Sequence, residues 1–355
     1  MYVQCNMANS VETNLSGVLE FLNAERQRRR LTLADIAQAA GYVDKSAAKR
    51  ALESTNPTLQ SVLRLADAMG VTLKVAAGQD HRAVRIAVFN HAGGTGKTTL
   101  VRDMGVRMAQ LGLKVLLIDL DPQANLTDWL GIDSAEVELE ETVYPALIPA
   151  KGALGGDLKS LPEPKQVFGL DVIPSSLDLV MLETALHSQM GAGHVRMRRA
   201  LDTIETSKGY DIIMIDSPPY VSQVSNLAAL SVDHLVVPVT TTAKALGGFD
   251  RVQAIVSSLT EQNPALKITA VVPTLYSRRV VVQDEAYEAL QRLTEGIPVL
   301  SPMGHRPNPH SSAQADRVPI PIGSDRSWDD AKAEIDQITG ELLALVGVNV
   351  SVDEA

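Results

Sequence analysis

The chain has 355 residues, of which 45% are hydrophobic and only 4% aromatic, and a formal net charge of −10. This length suits one large and one small domain, and the single cysteine, Cys5, excludes an internal disulfide framework and any metal site built from several cysteines. Residues 1–80 carry a charge of +1 and the remainder −11, so contact with nucleic acid would need a local basic patch.

The first part of the chain has the periodicity of short helices. Thr32, with Asp35 three residues later, indicates a helix N-cap, and Gly41 indicates the end of that helix. Two more helices are expected over Lys45 to Leu52 and over 56–70. The predicted division of the whole chain is a flexible tail (1–13), a small all-α domain (14–75), a linker (76–83), a large α/β domain (84–346) and a second tail (347–355).

From Val84 onward, short apolar runs alternate with helical stretches. Apolar strands without polar alternation predict a mostly parallel sheet that is buried on both faces by flanking helices. The stretch 131–168 is expected to be an irregular excursion, and the last helix is expected over Asp329 to Val346. The predicted strands are Ile86–Phe89, Val115–Asp119, Leu170–Ile173, Ile212–Asp216, His234–Pro238, Ile268–Val272 and Pro298–Leu300.

The most informative motif is His-Ala-Gly-Gly-Thr-Gly-Lys-Thr-Thr at 91–99, between the first of these strands and a helix over Leu100 to Leu111. Its glycines let backbone N–H groups surround phosphate oxygens, and the helix N-terminus adds donors and partial positive charge. Lys97 is expected against the β- and γ-phosphates, and the Thr98 hydroxyl on Mg²⁺. The motif predicts a P-loop NTPase-like fold rather than a plain turn. The predicted nucleotide-binding residues are Gly93, Gly94, Thr95, Gly96, Lys97, Thr98 and Thr99.

Two more strands end in carboxylates. Leu-Ile-Asp-Leu-Asp-Pro-Gln-Ala-Asn places Asp119 and Asp121 after the second strand, and Ile-Ile-Met-Ile-Asp-Ser-Pro-Pro places Asp216 at the end of another. Ligands of such sheets lie beyond the carboxyl ends of the strands, so all three are expected to converge on the phosphates and the metal. A single strand-end aspartate is often only a cap or turn residue, but three motifs in this order favour a site.

This order of motifs resembles the ParA-type DNA-partition ATPases, relatives of MinD with a deviant phosphate loop, and the resemblance covers residues 84–346. It implies that Lys97 binds phosphate, that Thr98 and Asp216 manage Mg²⁺ (Asp216 through water), and that Lys97 and Asp121 are catalytic, Asp121 by positioning the hydrolytic water. It also implies ATP as ligand, a nucleotide-sandwich homodimer and slow hydrolysis to ADP and phosphate.

One position departs from that family pattern. The family loop usually begins Lys-Gly-Gly, and its first lysine reaches the partner's phosphates across the dimer. Ala92 stands at this position, preceded by His91. The departure removes a charge-assisted contact made in trans, so the ATP dimer is expected to be weaker unless another cation substitutes.

Residues 31–75 resemble the helix-turn-helix of phage-repressor and antitoxin-type regulators, with Gly41 in the turn. The recognition helix would then carry the DNA-binding residues, because it is the element that enters the major groove. A plain packing or dimerisation domain is the alternative, and the basic run 26–30 can touch phosphates or simply face solvent. The candidate DNA-binding residues are Lys45, Ser46, Lys49 and Arg50 on this helix and, for contact without sequence preference, Arg278, Arg279, Arg306 and Arg317.

The resemblance therefore implies a cytoplasmic, nucleoid-associated partition protein that binds DNA as an ATP dimer and is released by hydrolysis. A ParB-type centromere-binding protein would accelerate hydrolysis, and the helix-turn-helix would let the protein repress its own operon. A transcriptional regulator that only senses nucleotide is the alternative. A MinD-like membrane role is disfavoured because the chain ends Val-Asp-Glu-Ala, which repels anionic lipid.

Overall fold

The computed structural model describes residues 15–54, 59–76, 82–149, 160–187, 193–277, 280–294 and 296–353. The tail expected over 1–13 lies outside these ranges, as do Arg278 and Arg279. Short 3-10 turns cover Ser134–Glu136, Leu139–Glu141, Leu177–Leu179, Ile320–Ile322 and Arg326–Trp328. The helices are α1 (Leu15–Arg28), α2 (Leu33–Ala39), α3 (Lys45–Leu52), α4 (Leu59–Ala68), α5 (Lys97–Gln110), α6 (Asn125–Trp129), α7 (Tyr144–Leu147), α8 (Val180–His187), α9 (Gly193–Lys208), α10 (Gln223–Leu230), α11 (Ala243–Thr260), α12 (Val281–Leu293), α13 (Pro307–Ala315) and α14 (Asp329–Leu345).

The strands form one large sheet and one small one. The large sheet has the order β4-β5-β3-β6-β2-β7-β8-β9, and every pairing in it is parallel except that between β4 and β5. The mostly parallel sheet predicted from the sequence is therefore confirmed. The strands are β1 (Thr72–Ala76), β2 (Val84–Val88), β3 (Val115–Asp119), β4 (Lys165–Val167), β5 (Leu170–Ile173), β6 (Ile212–Asp216), β7 (His234–Thr240), β8 (Lys267–Tyr276), β9 (Met303–Gly304) and β10 (Asn349–Asp353).

One predicted strand is wrong. Over 298–300 the chain makes only an isolated bridge between Val299 and Val271. The edge strand of the large sheet lies further along the chain, at β9. The Leu300 N–H donates to the Val271 carbonyl at 2.9 Å and completes this single bridge. The next donors of the parallel pairing would be residues 273 and 302, and both are prolines without an N–H, so the pairing stops there.

Two apolar layers bury the large sheet. One face packs against α5, α13 and α14, and the other against α8 to α12. The contact between α5 and β3 is close, because a Cβ on Gly105 would lie 2.7 Å from the Leu117 side chain. This packing places the N-terminus of α5, which carries the phosphate loop, at the carboxyl ends of the central strands.

The helices α1 to α4 enclose a separate small core that includes Leu22, Ile36, Ala48 and Leu65. The sequence-derived cap is confirmed: the Thr32 side chain accepts from the Asp35 N–H, and Asp35 in turn accepts from the Thr32 N–H. One feature was not expected, because β1 pairs antiparallel with β10. The 347–355 segment, predicted to be a tail, therefore contributes a strand to the N-terminal part.

Glu25 organises much of the basic run at 26–30. Its carboxylate is 4% exposed and accepts hydrogen bonds from the guanidinium groups of Arg28 and Arg29. These hydrogen bonds lower the pKa of Glu25 to about 2 against the opposing effect of burial. Arg29 also donates to the Met69 carbonyl at 3.0 Å, so part of this run holds α1 against the end of α4.

A buried ion pair joins β2 to α9. The Arg85 guanidinium is 1% exposed and donates from Nη2 to Glu205 and to Asp202, both at 2.6 Å. Glu205 is 7% exposed, whereas Asp202 is 60% exposed. The Glu205 carboxylate also accepts from the Ala83 N–H at 2.7 Å.

Glu205→Ala should destabilise the protein far more than Asp202→Ala. Removing the buried partner leaves the buried guanidinium with only the exposed Asp202 and leaves the Ala83 N–H without its acceptor, and breaking a buried pair costs about 3–5 kcal/mol. Removing the exposed partner costs about 0–1 kcal/mol. Urea denaturation followed by far-ultraviolet circular dichroism measures both. Equal losses in the two variants would contradict the assignment of the stabilisation to the buried pair.

No helix in the described ranges is both long and apolar enough to cross a bilayer.

Candidate functional site

The phosphate loop is anchored to neighbouring strands by three polar contacts. Asn90 donates to the Pro238 carbonyl at 2.7 Å, and its side-chain oxygen accepts from the Ala92 N–H at 2.9 Å. From the other side, the Thr274 hydroxyl donates to the Thr95 carbonyl at 2.9 Å. The loop is thus fixed to the ends of β7 and β8 before any ligand enters, which lowers the entropy lost on binding.

Gly96 makes the transition from the loop to α5. Its φ of 86° lies in the left-handed region, and a Cβ there would come within 2.8 Å of the Met303 side chain. Only glycine meets both conditions without strain. This position therefore explains the last glycine of the motif, and it lets α5 begin directly at Lys97.

The Lys97 side chain folds back onto the phosphate loop that precedes it. Its side chain is 6% exposed, and Nζ donates to the Ala92 carbonyl at 3.0 Å. Burial lowers the pKa of the ammonium, while the carboxylates of Asp216 and Asp121 raise it. A buried ammonium whose partner is a neutral carbonyl is poised to exchange it for phosphate oxygens.

Asp216 is fully buried at the end of β6, and no hydrogen bond of normal geometry from a described residue reaches either carboxylate oxygen. Burial raises its pKa to about 7, against the opposing effects of the Thr98 hydroxyl and the Lys97 ammonium. A buried carboxylate whose hydrogen bonding is incomplete is costly. A cation or a water bound to one would remove that cost.

Asp121 lies at the same edge of the sheet and lines the cavity above the phosphate loop. One of its oxygens accepts from the Gln123 N–H at 3.0 Å. Burial raises its pKa, and the Gln123 N–H and the Lys97 ammonium lower it. The structure therefore places Asp121 and Asp216 near Lys97, close enough for both carboxylates to act on its pKa.

Asp119 does not line the cavity, and its carboxylate is hydrogen-bonded within the protein, contrary to the expectation that it faces the phosphates. It is fully buried and accepts from the Asp121 N–H at 3.1 Å and from the N–H and hydroxyl of Thr127 at 3.0 and 2.7 Å. Burial and the neighbouring Asp216 charge raise its pKa. Asp119 holds the loop that presents Asp121, and local donors already saturate it.

Sequence reasoning missed a positioning residue of the same loop. Ser175 is fully buried after β5, where its N–H donates to the Thr127 hydroxyl at 2.9 Å and its hydroxyl donates to the Asp121 carbonyl at 2.8 Å. The Ile-Pro-Ser motif can be read from the sequence. The contact of Ser175 with Thr127, more than forty residues upstream, cannot.

The cavity above the loop has a volume of about 330 Å³, at the lower end of the range for small-molecule sites. Mg²⁺ prefers a few oxygen ligands plus substrate phosphates to an all-protein cage. The Thr98 hydroxyl and the buried Asp216 carboxylate supply oxygen ligands of that kind, so these residues fit a magnesium ion that also binds phosphate. Within the described residues there is no cluster of three or more His, Cys, Asp or Glu that could hold a metal.

Comparison with known proteins assigns this architecture to a family. A family model described as an AAA domain matches residues 83–268. The probable plasmid-partitioning protein ParA of Thermus thermophilus is 37% identical over 267 residues, which are 73% of this chain and 77% of that protein.

The chain belongs to the ParA/MinD superfamily of P-loop ATPases.

Solved structures agree with this ParA/MinD assignment at the level of fold. An ATP complex of a McdA variant from Cyanothece matches with a TM-score of 0.59 at 22% identity, over 75% of this chain and 97% of that one. MinD of Pyrococcus horikoshii OT3 with Mg-ADP matches with a TM-score of 0.54 at 19% identity, over 75% of this chain and 98% of that one. The P-loop NTPase-like fold predicted from the sequence is thereby confirmed.

In this ParA/MinD-type chain, Ala92 stands exposed on the surface of the phosphate loop. Its neighbour His91 is half-buried, with its ring edge-on to Phe89 at a centroid distance of 4.7 Å. Burial lowers the pKa of His91, as does the Lys97 charge, against an opposing effect from the Tyr220 backbone. Neither residue therefore supplies a cation at neutral pH where the ParA-type loop usually has one.

The predicted recognition helix is α3. Asp44 caps it by accepting from the Ala47 N–H at 2.7 Å, and buried Ala48 and Leu52 fix it to the small core. The turn before it adds Val43, which is 98% exposed and was not singled out from sequence. All four candidate DNA contacts on the helix are exposed: Lys45, Ser46, Lys49 and Arg50.

The remaining candidate arginines differ in their surroundings. Arg306 is at the rim of the nucleotide cavity, where it donates to Glu334 at 2.8 and 3.0 Å and to Asp330 at 3.0 Å. To reach a DNA phosphate it would have to give up these carboxylates. Arg317 is exposed, while Arg278 and Arg279 lie outside the described residues.

Proposed function

We propose that the protein is an ATP-dependent DNA-partition ATPase. The observation that carries this proposal is the fully buried carboxylate of Asp216 beside the phosphate loop, whose oxygens lack a hydrogen bond of normal geometry from the described residues, with Lys97 and Asp121 at the same sheet edge. Partition proteins among its relatives support it, including the ParA of Thermus thermophilus. The nucleotide would be ATP with Mg²⁺.

Each residue of the site would have one task in hydrolysis. The backbone N–H groups of 93–99 and the Lys97 ammonium bind the β- and γ-phosphate oxygens. Thr98 and, through water, Asp216 hold Mg²⁺, which neutralises phosphate charge when bound. Asp121 accepts a hydrogen bond from the attacking water, whose oxygen bonds to the γ-phosphorus as the bond to the β–γ bridging oxygen breaks. The products are ADP and inorganic phosphate.

A homodimer is supported by an apolar patch beside the cavity. We name as the rim patch Leu177, Val180, Met181 and Val221, each more than half exposed. Glu183 links the two segments that carry it, because its carboxylate accepts from the N–H groups at the start of α10. Exposed apolar clusters mark interaction surfaces, and Pro219, just before Val221, already lines the cavity. A second protomer on this face would close the nucleotide site.

We propose that α3 binds the DNA major groove, with Lys45, Lys49 and Arg50 on phosphates and Ser46 and Val43 toward base edges. Arg317, Arg306 and the two arginines outside the described residues are proposed contacts to DNA without sequence preference. A ParB-type partner would accelerate hydrolysis and release the protein from the nucleoid. The same helix-turn-helix would repress the protein's own operon.

The salt dependence of DNA binding tests α3. Lys49→Ala should flatten the slope of log affinity against log salt by about 0.9, because one phosphate contact is lost. Lys49 pairs with Glu53 at 3.7 Å, and Arg292 pairs with Glu288 at 3.8 Å on α12 in the same exposed i,i+4 arrangement. Arg292→Ala is therefore the matched control. An unchanged slope in Lys49→Ala, or the same change in both variants, would argue against α3 as the interface.

The whole proposal is tested by retention of a mixed-sequence DNA duplex with ATP, ADP or no nucleotide, alongside sedimentation of the protein in each state. We expect ATP to favour the dimer and DNA retention, and hydrolysis to reverse both. Equal DNA retention with ATP, with ADP and without nucleotide would contradict the proposal that ATP controls DNA binding.

The exposed Ala92 favours a second candidate function. Without a cation in trans, the ATPase domain could sense nucleotide for a helix-turn-helix transcriptional regulator that has no partition role. This candidate predicts a specific operator footprint, together with normal plasmid inheritance when Lys97 is replaced. The partition ATPase predicts that the same replacement causes plasmid loss.

A further inference from the structure

The nucleotide cavity has a wall that the roles given above do not explain. The cavity is lined by the phosphate loop and also by residues of α6 and α13, including Trp129 and His310. Asn125 and Trp129 stand four residues apart on α6 and both line the cavity, as expected for i and i+4 positions on one helix face. Phosphates and a metal need neither an indole nor an imidazole.

Trp129 is a half-buried aromatic ring that packs against a buried cation. The guanidinium of Arg102 lies over its ring at 5.7 Å from the centroid. Arg102 is itself fully buried and fixed by two hydrogen bonds to Asp103, at 2.8 and 3.0 Å, and Asp103 also accepts from the Ile320 N–H. The indole is only half-buried and lines the cavity, so part of its surface can contact a ligand there. A pre-positioned ring loses little entropy on stacking.

His310 on α13 adds unsatisfied polar atoms to the same wall. Both ring nitrogens are shielded from solvent, and neither has a hydrogen-bond partner within the described part of the chain. Burial lowers its pKa; Arg102 and Arg306 also lower it, and Asp103 and Glu334 raise it. The neutral ring offers one donor and one acceptor, and leaving both unpaired is costly. A ligand edge that carries a donor and an acceptor would satisfy them.

We infer that Trp129 is the stacking platform for the nucleobase and that His310 bonds to the polar edge of that base. This inference rests on the proposed binding of ATP through the phosphate loop. It explains why an indole backed by a buried guanidinium and an imidazole without hydrogen-bond partners among the described residues stand beside the phosphate loop. It also assigns part of the affinity to a contact that inorganic phosphates cannot make.

Intrinsic fluorescence tests the stacking directly. The chain has two tryptophans, and the other one, Trp328, is 6% exposed and packs in the core beneath α14. In Trp328→Phe, Trp129 is the only indole, and Mg-ATP should quench or shift its emission. Inorganic tripolyphosphate with Mg²⁺ should bind without that change. In Trp129→Phe, where only the core indole remains, ATP should leave the emission unaltered.

Calorimetry on the full chain separates the base from the phosphates. Trp129→Ala should weaken ATP binding about ten- to a hundredfold, the range of aromatic–base stacking. Its affinity for tripolyphosphate should stay that of the unmodified chain, and Trp129→Phe should keep most of the ATP affinity. A merely structural role for Trp129 would weaken both ligands together.

Two outcomes would overturn the inference while leaving nucleotide binding intact: ATP binding without any response of Trp129 emission, and equal losses for ATP and tripolyphosphate in Trp129→Ala. If the unmodified chain bound neither ATP nor tripolyphosphate, the proposed function itself would fail, and this inference with it.

Discussion

Lys97→Ala should lose ATP binding by at least about a hundredfold. Its ammonium is the buried cation of the phosphate loop, and it would exchange the Ala92 carbonyl for two phosphate groups. Hydrogen bonds to charged groups contribute about 1.5–3 kcal/mol each, so losing two of them accounts for a change of this size. The titration of Mg-ATP by isothermal calorimetry measures it directly.

The control for Lys97→Ala is Lys114→Ala. Lys114 also donates from Nζ to a backbone carbonyl, that of Lys208, but it is exposed and lies outside the cavity. Lys114→Ala should bind ATP with the affinity of the unmodified chain. Circular dichroism should show both variants folded, since removing Lys97 also removes a buried charge that the fold must desolvate. Near-normal ATP affinity in Lys97→Ala would disprove the role of the phosphate loop.

Local patterns predicted most of the sheet and the core of the site. The buried apolar runs that precede Asp121 and end in Asp216 implied a shared edge, because parallel strands bring their carboxyl ends together. The Gly-Lys-Thr spacing located Lys97 at a helix start. These features were readable because each depends on residues that are close together in the sequence.

The rest depends on partners distant in the sequence. Asp119 has the same strand-end position as Asp216, and only the fold reveals that Thr127 already saturates it. Pairing of β1 with β10 joins opposite ends of the chain, and no local periodicity encodes such a pairing. The cavity wall at His310 is likewise contributed by a helix more than two hundred residues beyond the phosphate loop.

Two strained positions flank the cavity and were also invisible to pattern reading. Ala124, just before α6, has φ of 51°, and Leu275, which lines the cavity, has φ of 54°. Non-glycine residues in this left-handed region are held there by their surroundings and cluster at functional sites. Their location beside Asp121 and the phosphate loop agrees with the proposed site.

Asp121→Ala should slow ATP hydrolysis by about 10²–10⁴-fold, the usual contribution of a group that orients or activates water, and leave ATP affinity nearly unchanged. Asp121 lines the cavity, and among the described residues its carboxylate accepts one hydrogen bond, from the N–H of the exposed Gln123. Its removal therefore costs little stability. Phosphate release under single-turnover conditions gives the rate, and calorimetry gives the affinity.

Asp119→Ala distinguishes catalysis from support of the loop. It would leave two backbone N–H groups and the Thr127 hydroxyl without their acceptor, at about 1–3 kcal/mol for each buried group. Asp119→Ala should therefore lower the unfolding midpoint in urea, whereas Asp121→Ala should lower the rate at unchanged midpoint. Hydrolysis at the normal rate in Asp121→Ala would rule out its water-positioning role, and a loss of stability equal to that of Asp119→Ala would make its effect structural.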